Sequence, residues 1–412
     1  MCPFANKQGG VRSLFSLSEL PRGARPNLSL NTDVPHAGYA RQRVPGYLDT
    51  IGTICHILGQ ARKPQARCWR IFDRFEISFG TPPALSVRFA NLRKELTMPS
   101  ISSYRGLFAL LVLFGVASVA HAQRAFVSAK TGLDSNPCTL VSPCRSFSTA
   151  LGVVSAGGEI VALDSGGYGP VTIGKSITIE SPPGIYAGIT APSGDAITVN
   201  ACSAVVVLRG LTLNVGAGNG VSWTGCGTLH IENCVISGFA GDGVRAKTAL
   251  GTADSRSHLL IKESIIRGNT GRGIYLIPVF EVLRVSIDHG RVEHNGSTGI
   301  LGISTVNANV VAVVRDTVLA SNGNGGLGVD SALGGTARAF ADRCSASNNS
   351  GNPGMYATGN QSAILSVQAS SIAYNGTGLA QFSGATVETI GDNMVRGNAA
   401  DKVGTITVLV GD

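Results

Sequence analysis

The chain has no apolar run long enough to span a membrane comfortably. The most apolar stretch, Leu107 to Val119, falls short of the roughly 20 residues a spanning helix needs. Zinc spacings are missing, because Cys138 and Cys144 have no second Cys or His pair nearby. No nucleophile elbow and no phosphate-binding loop occurs. Aromatic residues make up only 6% of the chain, whereas Gly, Val, Ile, Thr, Ser and Asn crowd its C-terminal three quarters. That composition favours short strands joined by tight turns.

Charge is also missing from most of the chain. Residues 1–97 hold 14 Lys and Arg against 6 Asp and Glu, an excess of 8, which equals that of the whole protein; residues 98–412 therefore carry 19 of each sign. The basic character belongs to the upstream segment alone, so overall charge argues for no nucleic-acid partner. From Met98 the sequence reads as a secretory signal peptide: Arg105, the short apolar core, then Ala120-His121-Ala122 as a small-x-small cleavage site. We expect residues 1–97 to be an over-long reading of the gene or a disordered extension, 98–122 to be the signal, and the product to be periplasmic or extracellular. Six cysteines follow the signal, an even number that suits an oxidising compartment.

One unit recurs beyond residue 200. It reads apolar-x-apolar, a few residues, an apolar, Asn, then Gly followed by an apolar, as in LLIKESIIRGNTGRGI (259–274) and VSIDHGRVEHNGSTGI (285–300). The Gly-apolar step falls at Gly220, Gly243, Gly273, Gly299, Gly326, Gly354 and Gly378, with spacings of 23, 30, 26, 27, 28 and 24. Asn269, Asn295, Asn322, Asn349, Asn375 and Asn398 follow at 26, 27, 27, 26 and 23. A period in the mid-twenties with several short strands suits one coil of a solenoid. Equivalent residues of successive coils would lie about 4.8 Å apart in vertical files. The Asn file then reads as structural, since Asn tolerates tight turns and can bond along the axis.

Over about 159–412 these repeats resemble the right-handed parallel β-helix family, which includes pectate lyases and polygalacturonases. The resemblance implies an all-β, single-stranded right-handed parallel β-helix of about ten coils. It also implies a short N-terminal capping helix within 123–158, for which 144–156, started by Ser142 or Pro143, is the candidate. A local disulfide Cys138–Cys144 and an inter-coil disulfide Cys202–Cys226 are expected, leaving Cys234 and Cys344 buried or unpaired.

Function must then sit on outward side chains and loops. Glu232, Lys262, Asp288, Arg315, Asp342 and Gln368 form one outward file, expected to be an ion ladder. Ser222, Arg245, Tyr275, Leu301, Gly328, Tyr356 and Ala380 form another. Arg245, Lys247 and Tyr275, with Arg256 and His258 on a protruding loop at 247–258, are the expected ligand-binding group: cations suit an acidic polymer and an aromatic ring stacks on a sugar. A further group, Arg284, Asp288, His289, Arg291, Glu293 and His294, holds the candidate acids and bases Asp288, His289, Glu293 and His294. A lyase would need such a base beside a charge-neutralising cation. The pectate lyase and polygalacturonase catalytic motifs are missing, with Asp288-His289-Gly290 only a faint echo. No metal site is identified; calcium is implied by the resemblance alone. The expected function is binding or processing of extracellular polysaccharide or cell-surface glycan, a catalyst being a polysaccharide lyase or glycoside hydrolase. The alternative is a non-catalytic surface or matrix protein.

Overall fold

The computed structural model describes residues 123–248, 256–349 and 351–410. The expected upstream segment, signal peptide and most of the 247–258 loop lie outside these residues. Within them the strands pair in parallel into sheets of 12, 10 and 10 strands, here sheets I, II and III. One coil runs through Gly227–Glu232 (sheet I), Val235–Phe239 (sheet II) and Val244–Ala246 (sheet III), and the chain returns to sheet I at Arg256–Lys262.

Alternation of residues fixes which side chains go inside. In Gly227–Glu232, Leu229 and Ile231 point inward while His230 and Glu232 face out. Leu229 pairs with Leu259, Leu259 with Val285, and Val285 with Ala312, so the interior is a set of stacked apolar files. Burying each such aliphatic side chain contributes about 1.5–3 kcal/mol. A coil has no core of its own; it borrows both faces of its core from its neighbours.

Two of the three corners are set by repeated backbone devices. Between sheets I and II the chain turns at Asn233, Glu263, His289, Asp316, Arg343 and Ala369, all left-handed with φ from 46° to 52°. The N–H groups of the first five bond the next coil, as in Asn233 N to Lys262 O at 3.0 Å and His289 N to Arg315 O at 3.2 Å, which offsets the strained conformation. Between sheets II and III the Asn file is a continuous buried ladder. The Nδ2 of Asn269, Asn295, Asn322 and Asn349 each donates to the Oδ1 of the next Asn, at 2.9, 3.0, 3.2 and 2.9 Å. Each Oδ1 also accepts the preceding Asn's backbone N–H, and Nδ2 donates in addition to a carbonyl such as Val292 O. Asn375 and Asn398 continue the ladder, which ends on Asp401 Oδ1.

The strand Arg124–Val127 already pairs with Gly158–Ala162, so stacking begins inside the segment expected to be a cap. The helix is Phe147–Val153, shorter than the expected 144–156. It is started by Ser146, whose Oγ accepts from Thr149 N, and not by Ser142 or Pro143; Asp134 fixes Ser146 in turn through hydrogen bonds at 2.9–3.1 Å. Phe147, Ala150 and Leu151 are buried, and Phe147 stacks on Tyr168. Cys138–Cys144 and Cys202–Cys226 are disulfide-bonded, and Cys234 and Cys344 are buried thiols.

The charged file lies in the expected register, Glu232 to Lys262 to Asp288 to Arg315 to Asp342 to Gln368. It is not the uniform vertical ladder expected. Arg209 bridges Glu180 and Glu232 at 3.2 and 2.9 Å, and Arg315 reaches Asp342 at 4.0 Å. In between, Lys262 pairs sideways with Glu263 at 3.6 Å, and Asp288 with His289 at 2.9 Å. The left-handed turn residues carry their own charges and compete for these partners.

Two outcomes follow from this interior. Asn322→Ala leaves the backbone N–H and Nδ2 of Asn295 without their acceptor, and denaturant unfolding should register a loss of about 2–4 kcal/mol. Burial pushes the Cys344 thiol up to about 11 and Cys234 to about 12. Both should resist iodoacetamide at pH 8 in the native protein and react only once it unfolds. The stability linked to these thiols is full below the ordinary thiol value and falls away as pH climbs toward 11, which melts across that range would reveal.

Candidate functional site

The outward file of sheet III forms a paved strip. Ser222 pairs with Arg245, Arg245 with Tyr275, Tyr275 with Leu301, Leu301 with Gly328, and Gly328 with Tyr356. These side chains lie along the sheet. Leu301 and Ser222, although outward, are each only 8% exposed. Gly328 makes this possible: a Cβ there would run into the Tyr356 ring.

A corner residue completes the strip. The Arg272 guanidinium carbon sits 3.9 Å from the Tyr275 ring centroid, and that of Arg245 sits 5.9 Å away. Two cations therefore lie against one aromatic ring, an arrangement stabilised by the ring quadrupole. Arg272 lies 3.7 Å from the buried Asp242 carboxylate, whose Oδ1 also accepts the Arg272 N–H at 2.8 Å. Arg245 makes no ion pair among the described residues, and its buried Nε has no hydrogen-bond partner. The strip thus carries one cation more than Asp242 can balance. The Tyr356 hydroxyl lies 3.4 Å from Thr298 Oγ1. Burial, helped by Asp330, pushes the Tyr356 phenol above its ordinary value, so it is protonated at neutral pH.

Sequence reasoning placed Arg245, Tyr275 and Tyr356 in one file and missed Arg272, Asp242 and Thr298. Their signal was the residue before each Gly-apolar step. Along that position Asp195 Oδ1 accepts Asn219 N at 2.7 Å and Asn219 Oδ1 accepts Asp242 N at 2.8 Å, a second polar ladder beside the Asn file. Lys247 is exposed next to the strip. Arg256 and His258 do not belong to a protruding loop. They open the strand Arg256–Lys262, and His258 stands in an outward file of sheet I between Thr228 and Arg284, around the corner from Tyr275.

The acid–base candidates are divided between two corners. Asp288 and His289 sit at the I–II turn and hydrogen-bond at 2.9 Å. Asp316 joins them, the three ligand atoms lying within 4.8 Å of one another, a spacing that could hold a cation. Arg343 makes two 2.9 Å contacts to Asp316 and holds its carboxyl below the usual range. Glu293 closes the sheet II strand Arg291–Glu293 and is paired with Arg291 at 2.8 Å. His294 follows as a left-handed corner residue bonded to Ala320 O. Arg284 is exposed on sheet I. A concavity of 660 Å³ lies elsewhere, at the last described coil, lined by Leu379, Val395 and Val408 with Asp392, Arg396 and Lys402.

Arg343→Gln should let the Asp316 carboxyl rise toward its ordinary value. A carboxyl-carbon NMR titration reads this directly, and an unmoved midpoint would show that the guanidinium does not control it.

Residues 195–364 match the family model described as the right handed beta helix region. No curated protein matches the chain in sequence. Among solved structures, it is similar to pectate lyase Pel9A at 14% identity, covering 68% of this chain and 80% of that one, with a TM-score of 0.46. The A-module of the Azotobacter vinelandii mannuronan C-5 epimerase AlgE6 is similar at 12% identity, 71% and 90% coverage and a TM-score of 0.36. The GH136 lacto-N-biosidase from Eubacterium ramulus is similar at 10% identity, 74% and 70% coverage and a TM-score of 0.36. The coils on either side of the matched region continue the same three sheets, so the described residues form one parallel β-helix of the architecture that the family model describes.

Proposed function

We propose that this is an exported glycan-binding protein whose sheet III strip takes an acidic polysaccharide. The carrying observation is the Tyr275 ring with Arg272 and Arg245 set 3.9 and 5.9 Å from its centroid. Tyr275 and Tyr356 offer flat apolar surface for sugar rings. Arg245, with no ion pair among the described residues, offers charge to a carboxylate or another anionic substituent. Lys247 extends the cationic end of the strip. Export rests on the signal sequence at 98–122, and the two disulfides accord with an oxidising compartment.

Binding without turnover is the reading this face supports best. Its carboxylate Asp242 is held by Arg272 and a backbone amide, and Tyr356 keeps its proton, so neither is placed to act as a base. The competing reading, a lyase or hydrolase, draws on the Asp288–His289 contact with Asp316 beside it. In calorimetric titrations with acidic and neutral oligosaccharides, the acidic ones should bind, and Tyr275→Ala or Arg245→Ala should each weaken them about tenfold, or ~1.4 kcal/mol. Equal affinity for neutral sugars, or full affinity in both variants, would refute the assignment. Release of unsaturated products or reducing ends that stops on His289→Ala would establish the competing one.

A further inference from the structure

The outer face of sheet II carries an open polar patch in its first coils, around the corner from the strip. Three successive strands hold it: Gly166–Gly167, Ala187–Ala191 and Leu211–Gly216. Tyr186 stands just before the second, 44% exposed, and its ring lies over Gly188, where a Cβ would run into it. Asn214 Nδ2 donates to the Tyr186 hydroxyl at 2.8 Å, and the Thr190 hydroxyl donates to Asn214 Oδ1 at 3.1 Å. Val215 comes directly after Asn214 with φ 59°, a left-handed conformation that a β-branched residue rarely adopts, and it is 64% exposed. Gly167 is the ladder partner of Gly188 on the preceding coil. A Cβ on Gly167 would meet only Gly188 O, at 4.0 Å, and its backbone is not left-handed, so neither packing nor conformation demands glycine there.

Hydrogen bonding leaves this surface with donors to spare. The bonds run one way, Thr190 to Asn214 to Tyr186, so the phenol O–H and the second hydrogen of Asn214 Nδ2 have no acceptor among the described residues. A glycine inside a strand weakens it, and one without a local structural reason marks close approach by a ligand or another chain. An added strand is excluded on this face, because the backbone groups are already spent in the ladder. Gly166 N donates to Tyr186 O at 2.9 Å, and Tyr168 N to Gly188 O at 2.8 Å. Recognition therefore falls to a ring, an amide and two hydroxyls around a bare floor. The residues of the patch carry no carboxylate, ammonium or guanidinium, and Arg145 at its edge is turned onto Gly167 O at 2.6 Å. An exposed ring beside neutral donors matches a ligand that has an apolar C–H face fringed with hydroxyls and no charge.

We propose that the Gly167–Tyr186–Asn214 patch binds an uncharged sugar unit, which rests on the bare floor at Gly167 against the Tyr186 ring and accepts hydrogen bonds from the phenol and the Asn214 amide. This is a second attachment point, separate from the sheet III strip, and it stands whether or not the strip takes an acidic glycan. The probes are uncharged gluco-, manno- and galacto-oligosaccharides, titrated into the full chain by calorimetry and followed by ligand-observed NMR. One series should bind, below any affinity the strip shows for acidic ligands. Gly167→Val fills the floor and has room to do so; its melting should match wild type while affinity for the uncharged sugar falls about tenfold. Tyr186→Ala should lose as much, and Tyr186→Phe, which keeps the ring and drops the hydroxyl, severalfold. Tyr275→Ala should leave this binding unchanged. Failure of all three series to bind wild type would overturn the proposal. So would affinity that survives both Gly167→Val and Tyr186→Ala, or uncharged-sugar binding that disappears in Tyr275→Ala, which would assign it to the strip instead.

Discussion

Every feature of this solenoid depends on coils stacking in register. Parallel strands about 4.8 Å apart put like residues over like, and the corner between sheets II and III enforces that overlap more strictly than the apolar core does. An apolar file tolerates Leu over Val over Ala, as at Leu259, Val285 and Ala312. The Asn file tolerates nothing of the kind. Each Oδ1 accepts both the side-chain and the backbone N–H of the preceding Asn, so a slip of one residue would strand two donors in a buried place. Core packing supplies the gross stabilisation, and the Asn ladder decides which of the possible packings is reached.

That division of labour explains where the coil can vary. The I–II corner is two residues long in every coil between Glu232 and Ser371, because the left-handed turn admits no other length. The Asn ladder holds the II–III corner nearly as tightly. Changes in coil length are therefore pushed into the III–I corner, where the chain runs from Ala246 to Arg256 in one coil and from Trp223 to Gly227 in the one before. The 30-residue spacing seen in the sequence is that excess. Glu281 Oε1 and Thr248 Oγ1, both buried and without a hydrogen-bond partner, lie at the same corner, the one least governed by repetition.

The coil, its period and the inward and outward files were legible because each is a property of position within a repeat. The Asn column, the Arg245–Tyr275–Tyr356 file and the Cys202–Cys226 disulfide could be read by aligning one coil with the next. What alignment hides is competition between neighbouring files. It shows Lys262 between Glu232 and Asp288; it does not show that Glu263, rotated outward by the left-handed turn, takes the ammonium instead. Nor does it show how far a long side chain travels. Arg272 begins in a corner file and ends over a ring in sheet III, a reach set by its own rotamer and by Asp242 beneath it. The expected loop was drawn too far, taking in Arg256 and His258 of the following strand, since extra length in a repeat does not reveal where the next strand resumes.

The site itself forms where a structural file changes occupation. Asp195, Asn219 and Asp242 each use a short side chain to accept the backbone N–H one coil further on. Arg272 is the last to be held in this way and the first that cannot pass the contact on, because a guanidinium has no acceptor. Its side chain is thereby released from backbone duty. With Asp242 below and Tyr275 alongside, the favourable place for it is over the ring. The following residues in the file, Thr298 and then Gly325, are small, and this leaves room for Tyr356 to extend back across the sheet toward Thr298. One break in a repetitive hydrogen-bond pattern thus sets a cation, two rings and a buried carboxylate side by side, which an unbroken ladder of short acceptors would have kept apart.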